Sequence, residues 1–461
     1  MSERADESEL ESSIADEVDY IRRTFAAPPD QGGAGIEIGL VPEGRGVGYM
    51  YAVGQLLVRR EYLAQVEQIL GRGRDQEPRE AARLPGEPGE EEHVIGDVVL
   101  LRLRDGEPAV PEALAEIDRR LGPGIATPDH LLTVAGEAAP CPATEPEEVY
   151  QGIEPYPSAC PGDGGTGVRI YLADTGLLHD VTHPGWLASH PWLTGVQAGD
   201  AADYDQLPPH AAGQPQKIPA YAGHGTFVAG VTRCLAPGAE IIVTNAFSVA
   251  GSTLESDLAQ RLGAALGHGV DIFHLTVAAP SRHNLPMIGI AEWLRLMRGY
   301  KGTVCTVAAG NSGSRRPFWP AAFPEVVSVG ALAADGRSRA SFSNYGGWVD
   351  VYAPGRDLIN AYASGTYTCH VWPYADQPRE FYGMAKWSGT SFSTPIVTGL
   401  IAARMSRTGE SGREAADALL AEARAQAIPG VGAILLPRCD GERGRPAGRS
   451  GCCCERRSCD C

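Results

Sequence analysis

No run of about 18 apolar residues occurs in the 461-residue chain, so no membrane-crossing helix is expected. Basic residues are scarce: 39 Lys and Arg stand against 57 Asp and Glu, a net charge of −18. Nucleic acid needs a basic face, so it is excluded as a partner. The first residues, MSERADESELESSIADEVDYIRR, lack the basic start and apolar run of a secretory signal. On that ground a cytoplasmic location is expected. The 11 cysteines are odd in number. Cys141, Cys160, Cys234, Cys305, Cys369 and Cys439 are scattered, and the other five crowd the final GCCCERRSCDC. Reduced thiols are expected rather than a disulfide framework. The terminal cluster fits no standard zinc spacing, and no metal site is predicted. No internal repeat is present, and Asp-Thr/Ser-Gly occurs once, as Asp174-Thr175-Gly176.

What is present suits a globular chain of two or more domains, with 43% hydrophobic residues. Residues 1–35 are charged and then Pro/Gly-rich, and read as disordered. Residues 36–136 read as a small β-α-β-α-β unit, an α+β two-layer sandwich. YAVGQLLVRR, VIGDVVLLRLRDG and DHLLTVAG supply its strands. REYLAQVEQILGR and VPEALAEIDRRLGPG supply its helices, each with one apolar face. Residues 137–165 are Pro-rich and mark a linker. From 166 to 437, apolar runs such as VRIYLAD, AEIIVTNAF, DIFHLTV, GTVCTVAAG and EVVSVGAL alternate with helical patterns. Continuous apolar strands between helices predict an α/β fold, a parallel sheet with helices on both faces. Residues 438–461 read as a Cys-rich disordered tail.

Four stretches carry chemistry. In RIYLADTGLL, Asp174 ends a strand, at the rim where open parallel sheets hold ligands. Its carboxylate can accept an imidazole N–H and fix the tautomer. In GHGTFVAGVTRCLA, His224 lies between two glycines just before a helix. In GTSFSTPIVTGLIAARM, Ser391 starts an apolar helix, with Pro395 in the first turn. That position sets its hydroxyl and N–H at the positive end of the helix dipole, beside a developing oxyanion. In GTVCTVAAGNSG, the Gly-flanked Asn311 offers a fixed N–H donor. Singly, each stretch is commonly structural: a turn, a loop histidine or an N-cap. An aspartic-protease reading of Asp174 needs a second Asp-Thr/Ser-Gly, which is missing.

Taken together and in this order, the four stretches resemble the subtilisin-like serine peptidases, the subtilases. WPAAFPEVVSVGAL and ASFSNYGGWVDVYAPG extend the resemblance over about residues 167–408. The sedolisins, which share the serine loop, lack the His of GHGT. The resemblance implies a subtilisin-like sheet and a peptide or protein substrate. It implies that Asp174 orients His224, that His224 serves Ser391 as general base and acid, and that Asn311 and the Ser391 N–H form the oxyanion hole. It also implies an extended substrate strand between two edges, with Thr276, Val277 and Ala278 on one side and the SVAGST loop, including Ser252, on the other. Ala308, Ala309 and Gly310 complete the substrate-binding set. The family usually has glycine where Ala278 stands, which predicts a narrowed pocket. Phe227 replaces a second histidine of many relatives, a packing change. The chemistry needs no cofactor; structural calcium belongs to the family, at residues not locatable here. Relatives also imply that the chain's own N-terminal domain acts as an intramolecular inhibitor released by self-cleavage within 137–165; a permanent accessory domain is the other reading of residues 36–136. The alternative is an idle relative that only binds peptides.

Overall fold

The structure is a computed structural model that describes residues 18–44, 46–72, 91–134, 143–205, 207–209, 214–247, 249–370 and 374–439. The expectations for 1–17 and for the tail from 440 onward lie outside them.

The first unit is built from α1 (18–26), β1 (Ile38–Glu43), β2 (Gly46–Arg59), α2 (Leu63–Ile69), β3 (Glu91–Ile95), β4 (Val98–Arg102), α3 (Val110–Leu121) and β5 (Ala126–Thr133). Two expectations are corrected here. Residues 18–26 are helical, not disordered, because Ile21 and Phe25 bury against Ile38, Met50 and Leu131. The single strand expected over 94–106 belongs to a hairpin, since β3 and β4 pair antiparallel. The turn is Gly96-Asp97, with Gly96 at φ +50°, the glycine-dependent geometry of a tight hairpin. The sheet is antiparallel, and alternate residues serve its two faces. Leu56, Val58 and Leu101 pack on Leu114 and Ile117 of α3. Leu57, Leu100 and Leu132 face the other way, into an apolar cluster shared with the second unit.

The second unit centres on a seven-stranded parallel sheet in the order β14-β13-β12-β11-β6-β9-β7. Its strands are β6 (Arg169–Asp174), β7 (Val196–Ala198), β9 (Glu240–Asn245), β11 (Ile272–Leu275), β12 (Val304–Ala308), β13 (Val327–Leu332) and β14 (Val351–Pro354). Beside them run the short β8 (Lys217–Ile218) and β10 (Ser252–Leu254), and the long hairpin of β15 (Leu358–Thr368) and β16 (Pro378–Trp387). The helices are α4 (Pro184–Ser189), α5 (His224–Leu235), α6 (Glu255–Ala265), α7 (Ile288–Met297), α8 (Thr390–Thr408) and α9 (Gly412–Ala425). Ile170 and Leu172 of β6 share one cluster with Val228 of α5 and Ile396 of α8. Ala173 and Phe273 share the other with Leu258 of α6 and Trp293 of α7. Both faces are covered, which is why the strands read as unbroken apolar runs.

The units are not separate bodies. β10 pairs antiparallel with β5, so the sheet of the first unit continues into the second. α6 and α7 cap the open face of the first sheet through the shared cluster. Gly96 lies tight against α7: a Cβ there would lie 1.9 Å from Glu292 Oε1, and the next N–H, of Asp97, donates to that oxygen at 3.0 Å. The expectation of reduced thiols is also corrected in part. Cys160 and Cys439 are disulfide-bonded across a sequence separation of 279. Spacing could not reveal this pair, because the chain folds the second unit between them. Cys234, Cys305 and Cys369 are free and buried.

Candidate active site

The four motifs converge at the C-terminal rim of the parallel sheet. Asp174 is the last residue of β6, and His224 opens α5 behind Gly223, whose φ is +81°. A Cβ on Gly225 would lie 2.3 Å from the Gly176 carbonyl oxygen. The glycines of D-T-G and G-H-G therefore let two backbones touch, and that contact sets Asp174 against His224. Ser391 is the second residue of α8, and Asn311 follows β12.

Asp174 Oδ1 accepts His224 Nδ1–H at 2.6 Å and the Thr175 N–H at 2.8 Å. Asp174 Oδ2 accepts the Thr276 hydroxyl at 2.7 Å. Burial alone pushes this carboxyl up. The His224 charge and hydrogen bond, the Thr175 N–H and the Thr276 hydroxyl outweigh burial and hold it below the ordinary carboxylate range. An ionised carboxylate can only accept, so Nδ1 carries a proton. Nε2 is buried with no partner among the described residues. The imidazole is held laterally by Phe392 and Trp387, with ring centroids 5.3 and 5.6 Å away. Phe227 packs 4.5 Å from Phe392, a purely apolar neighbour of that wall.

Asn311 Oδ1 accepts both the backbone N–H of Thr390, at 2.8 Å, and its hydroxyl, at 2.9 Å. The carboxamide orientation is thereby set, and Nδ2, its donor end, is left buried without a partner among the described residues.

A strand of the chain itself lies between β10 and the segment around Ala278. Thr133 and Leu132 of β5 pair with Ser252 and Thr253 of β10. On the other side, Thr133 bridges Ala278, whose N–H donates to its carbonyl at 3.2 Å. Val134 N–H donates to Gly251 O at 3.1 Å, and the Val134 carbonyl lies 3.5 Å from Ser391 Oγ. Asp174, His224 and Ser391 are each 0% exposed as a result.

The profile of the Subtilase family matches residues 165–433, more than half of the chain. The chain belongs to the subtilase family. A thermophilic serine proteinase of Bacillus sp. (strain AK1) is 30% identical over 326 residues, 67% of this chain and 68% of that protein. Thermitase of Thermoactinomyces vulgaris is 28% identical over 280 residues, 58% of this chain and 84% of its own. The solved structure of a cold adapted subtilisin-like serine proteinase shares 22% identity, with a TM-score of 0.44 over 60% of this chain and 92% of that one. Membership of that family makes this subtilase a subtilisin-like serine protease with peptide or protein substrates.

Thr276, which the resemblance places on the substrate edge, turns its hydroxyl to Asp174. The readable signal is register: Leu275 pairs with Ala173, so Thr276 is level with Asp174. Ala309 is spent inside the fold, its N–H on Val329 O and its carbonyl on Asn344 Nδ2. Ala308 ends a fully buried strand, and Gly310 N–H donates to Thr390 Oγ1 at 3.1 Å. Val277 packs in the cluster that holds Leu132 and Val134. Among the described residues no three His, Cys, Asp or Glu side chains are arranged so that they could hold a metal ion. No helix among them is long and apolar enough to cross a membrane.

Proposed function

We propose that this subtilase is an endopeptidase working through an acyl-enzyme on Ser391. One observation carries the reading. A strand of the chain, held between two edges, brings a carbonyl to 3.5 Å from Ser391 Oγ, beside a histidine locked to Asp174. Ser391 Oγ attacks the carbonyl carbon while His224 Nε2 takes its proton. Asp174 keeps Nδ1 protonated and stabilises the imidazolium. Asn311 Nδ2 and the Ser391 N–H receive the oxyanion. Collapse of the tetrahedral intermediate transfers the proton from His224 to the leaving amine, and water then hydrolyses the ester by the reverse proton path. Exposing the protein to a fluorophosphonate probe and mapping the adduct tests this. Attachment at Ser391 is expected; an unlabelled protein whose cleft is open defeats it.

The same observation supports reading the first unit as an intramolecular inhibitor, since it occupies the substrate position. Release follows a cut between Val134 and Ala143. Ala143 and Glu147 are hydrogen-bonded to Ser388 and Lys386, so the cut falls before 143, at the start of the expected 137–165 window or just upstream of it.

Release should depend on pH through Asp129. Its carboxyl, wholly buried, accepts Ser256 N–H at 3.0 Å and Ser256 Oγ–H at 2.6 Å across the junction of the units. Burial pushes the Asp129 carboxyl up to about 8, with Ser256 opposing and the charges of Asp257 and Glu255 adding. A raised acid binds its proton in the docked state and loses it when free. Docking is therefore strongest below the ordinary carboxylate range and weakens through that range up to about pH 8, by up to about tenfold per pH unit. After the cut, gel filtration should show the two pieces together at pH 5 and apart at pH 8.5, and Asp129→Asn should flatten the difference.

The narrowed pocket stands as a specificity proposal. A Cβ on Gly310 would lie 3.5 Å from the Ala278 methyl and 3.2 Å from the Phe318 ring, so the crevice beside Asn311 is shallow. Small side chains before the scissile bond are expected to be preferred. In a peptide library, Ala278→Gly should raise turnover of bulky residues by about tenfold. Equal turnover of aromatics by the unchanged protein rules this out.

A further inference from the structure

The chain is gripped on both sides of Ser391. Upstream, residues 131–134 lie between β10 and Ala278. Downstream, residues 143–148 run along the end of β16, within three positions of the nucleophile. Ala143 N–H donates to Ser388 O at 3.1 Å, and Ser388 N–H donates to Thr144 Oγ1 at 3.2 Å. Trp387 Nε1–H donates to the Thr144 carbonyl at 2.6 Å. Glu147 and Lys386 exchange backbone hydrogen bonds of 2.8 and 2.9 Å, and their side chains form an ion pair at 2.7 Å. The carboxylate of Glu145, itself buried, accepts the Tyr367 hydroxyl at 3.0 Å and the His370 N–H at 2.5 Å. Trp387, on which this segment rests, is the wall of the His224 ring.

A peptide laid across Ser391 enters beside Gly251 and Ala278 and leaves on the side of Ser388, because the chain's own connectivity runs that way. There the backbone groups of Lys386 and Ser388 are already taken. A cut between Val134 and Ala143 frees the first unit, yet residues 143–148 remain part of the second.

We propose that residues 143–148 are a strap that stays seated after the cut and fills the leaving-group side of the cleft. The mature enzyme then favours substrates with few residues after the scissile bond. Upstream residues find a full β-edge on each side, whereas a long downstream segment must displace the strap and its buried carboxylate. This inference rests on the peptidase reading above.

The test uses the full chain after it has cut itself, with peptides that share one upstream sequence and carry one, two or four residues after the bond. Activity should fall at least about tenfold in kcat/KM from one downstream residue to four. Glu147→Lys, which sets like charges opposite Lys386, should flatten the series by at least about threefold, and adding Lys386→Glu should restore the slope. Rates that are level or rise with downstream length in the unchanged protein overturn the strap, whatever the variants do. A protein that takes no fluorophosphonate at Ser391 and cuts no member of the series sinks the peptidase reading instead. One that labels and cuts without regard to length sinks the strap alone.

Discussion

Ser391→Ala should leave the purified chain at full length, where the unchanged protein yields two pieces with a junction between Val134 and Ala143. The alanine removes only the Oγ that faces the Val134 carbonyl at 3.5 Å. It leaves the ladder from Leu131 to Thr133 with β10 untouched. Docking therefore survives while bond cleavage does not. Loss of the nucleophile alone costs about a millionfold in subtilisin itself, so the variant should stay intact over any practical incubation. Mass spectrometry of the two proteins side by side reads both the fact and the position of the cut. Adding processed wild type to the variant then asks whether a second molecule can make it. An unchanged protein that stays whole yet hydrolyses peptides would remove the inhibitor reading and keep the enzyme.

The parts of this chain legible from sequence are those where one local feature serves one structural purpose. The long parallel strands are readable because burial on both faces leaves unbroken apolar runs, as in VRIYLAD and GTVCTVA. The site is readable because each key residue is fixed by a glycine or a helix start in its own motif, as with Gly225 against Gly176. What stays hidden depends on contacts far along the chain. The 18–26 helix looks polar and charged until Ile21 and Phe25 find Ile38 and Leu131. The β15–β16 hairpin is not among the elements read from the sequence: only β16 alternates exposed and buried residues, and β15 shows no such period. The IGDV turn hides inside one apparent strand because apolar residues flank it on both sides. Cys160 and Cys439 meet only once the whole second unit has folded. Asp129 reads as an ordinary strand residue and Thr276 as an edge residue, and only the junction with α6 or the register with β6 shows their side-chain partners.

Asp174→Asn should lower kcat by about four orders of magnitude while the protein stays folded and its cleft stays formed. Three donors converge on this carboxylate: His224 Nδ1–H, the Thr175 N–H and the Thr276 hydroxyl. An aspartate satisfies all three because both its oxygens accept. An asparagine brings two N–H donors into the same space, so at least one of the three must turn away. If its amide faces His224, Nδ1 becomes an acceptor and Nε2 carries the proton, which leaves no base for Ser391. If it faces Thr276, the hydroxyl can rotate and accept, and the tautomer survives. The negative charge that steadies the imidazolium is lost either way. The same exchange in a serine protease of another fold costs about ten-thousandfold, and there the wrong tautomer is the cause. Thr276→Val separates the two effects, because it keeps the charge and removes only one hydrogen bond to Oδ2. It should cost far less, about tenfold. Steady-state kinetics on a short peptide, with circular dichroism to check the fold, reads the ordering. Similar losses in the two variants would mean that Asp174 acts here only as a packing residue, and that His224 draws its basicity from elsewhere.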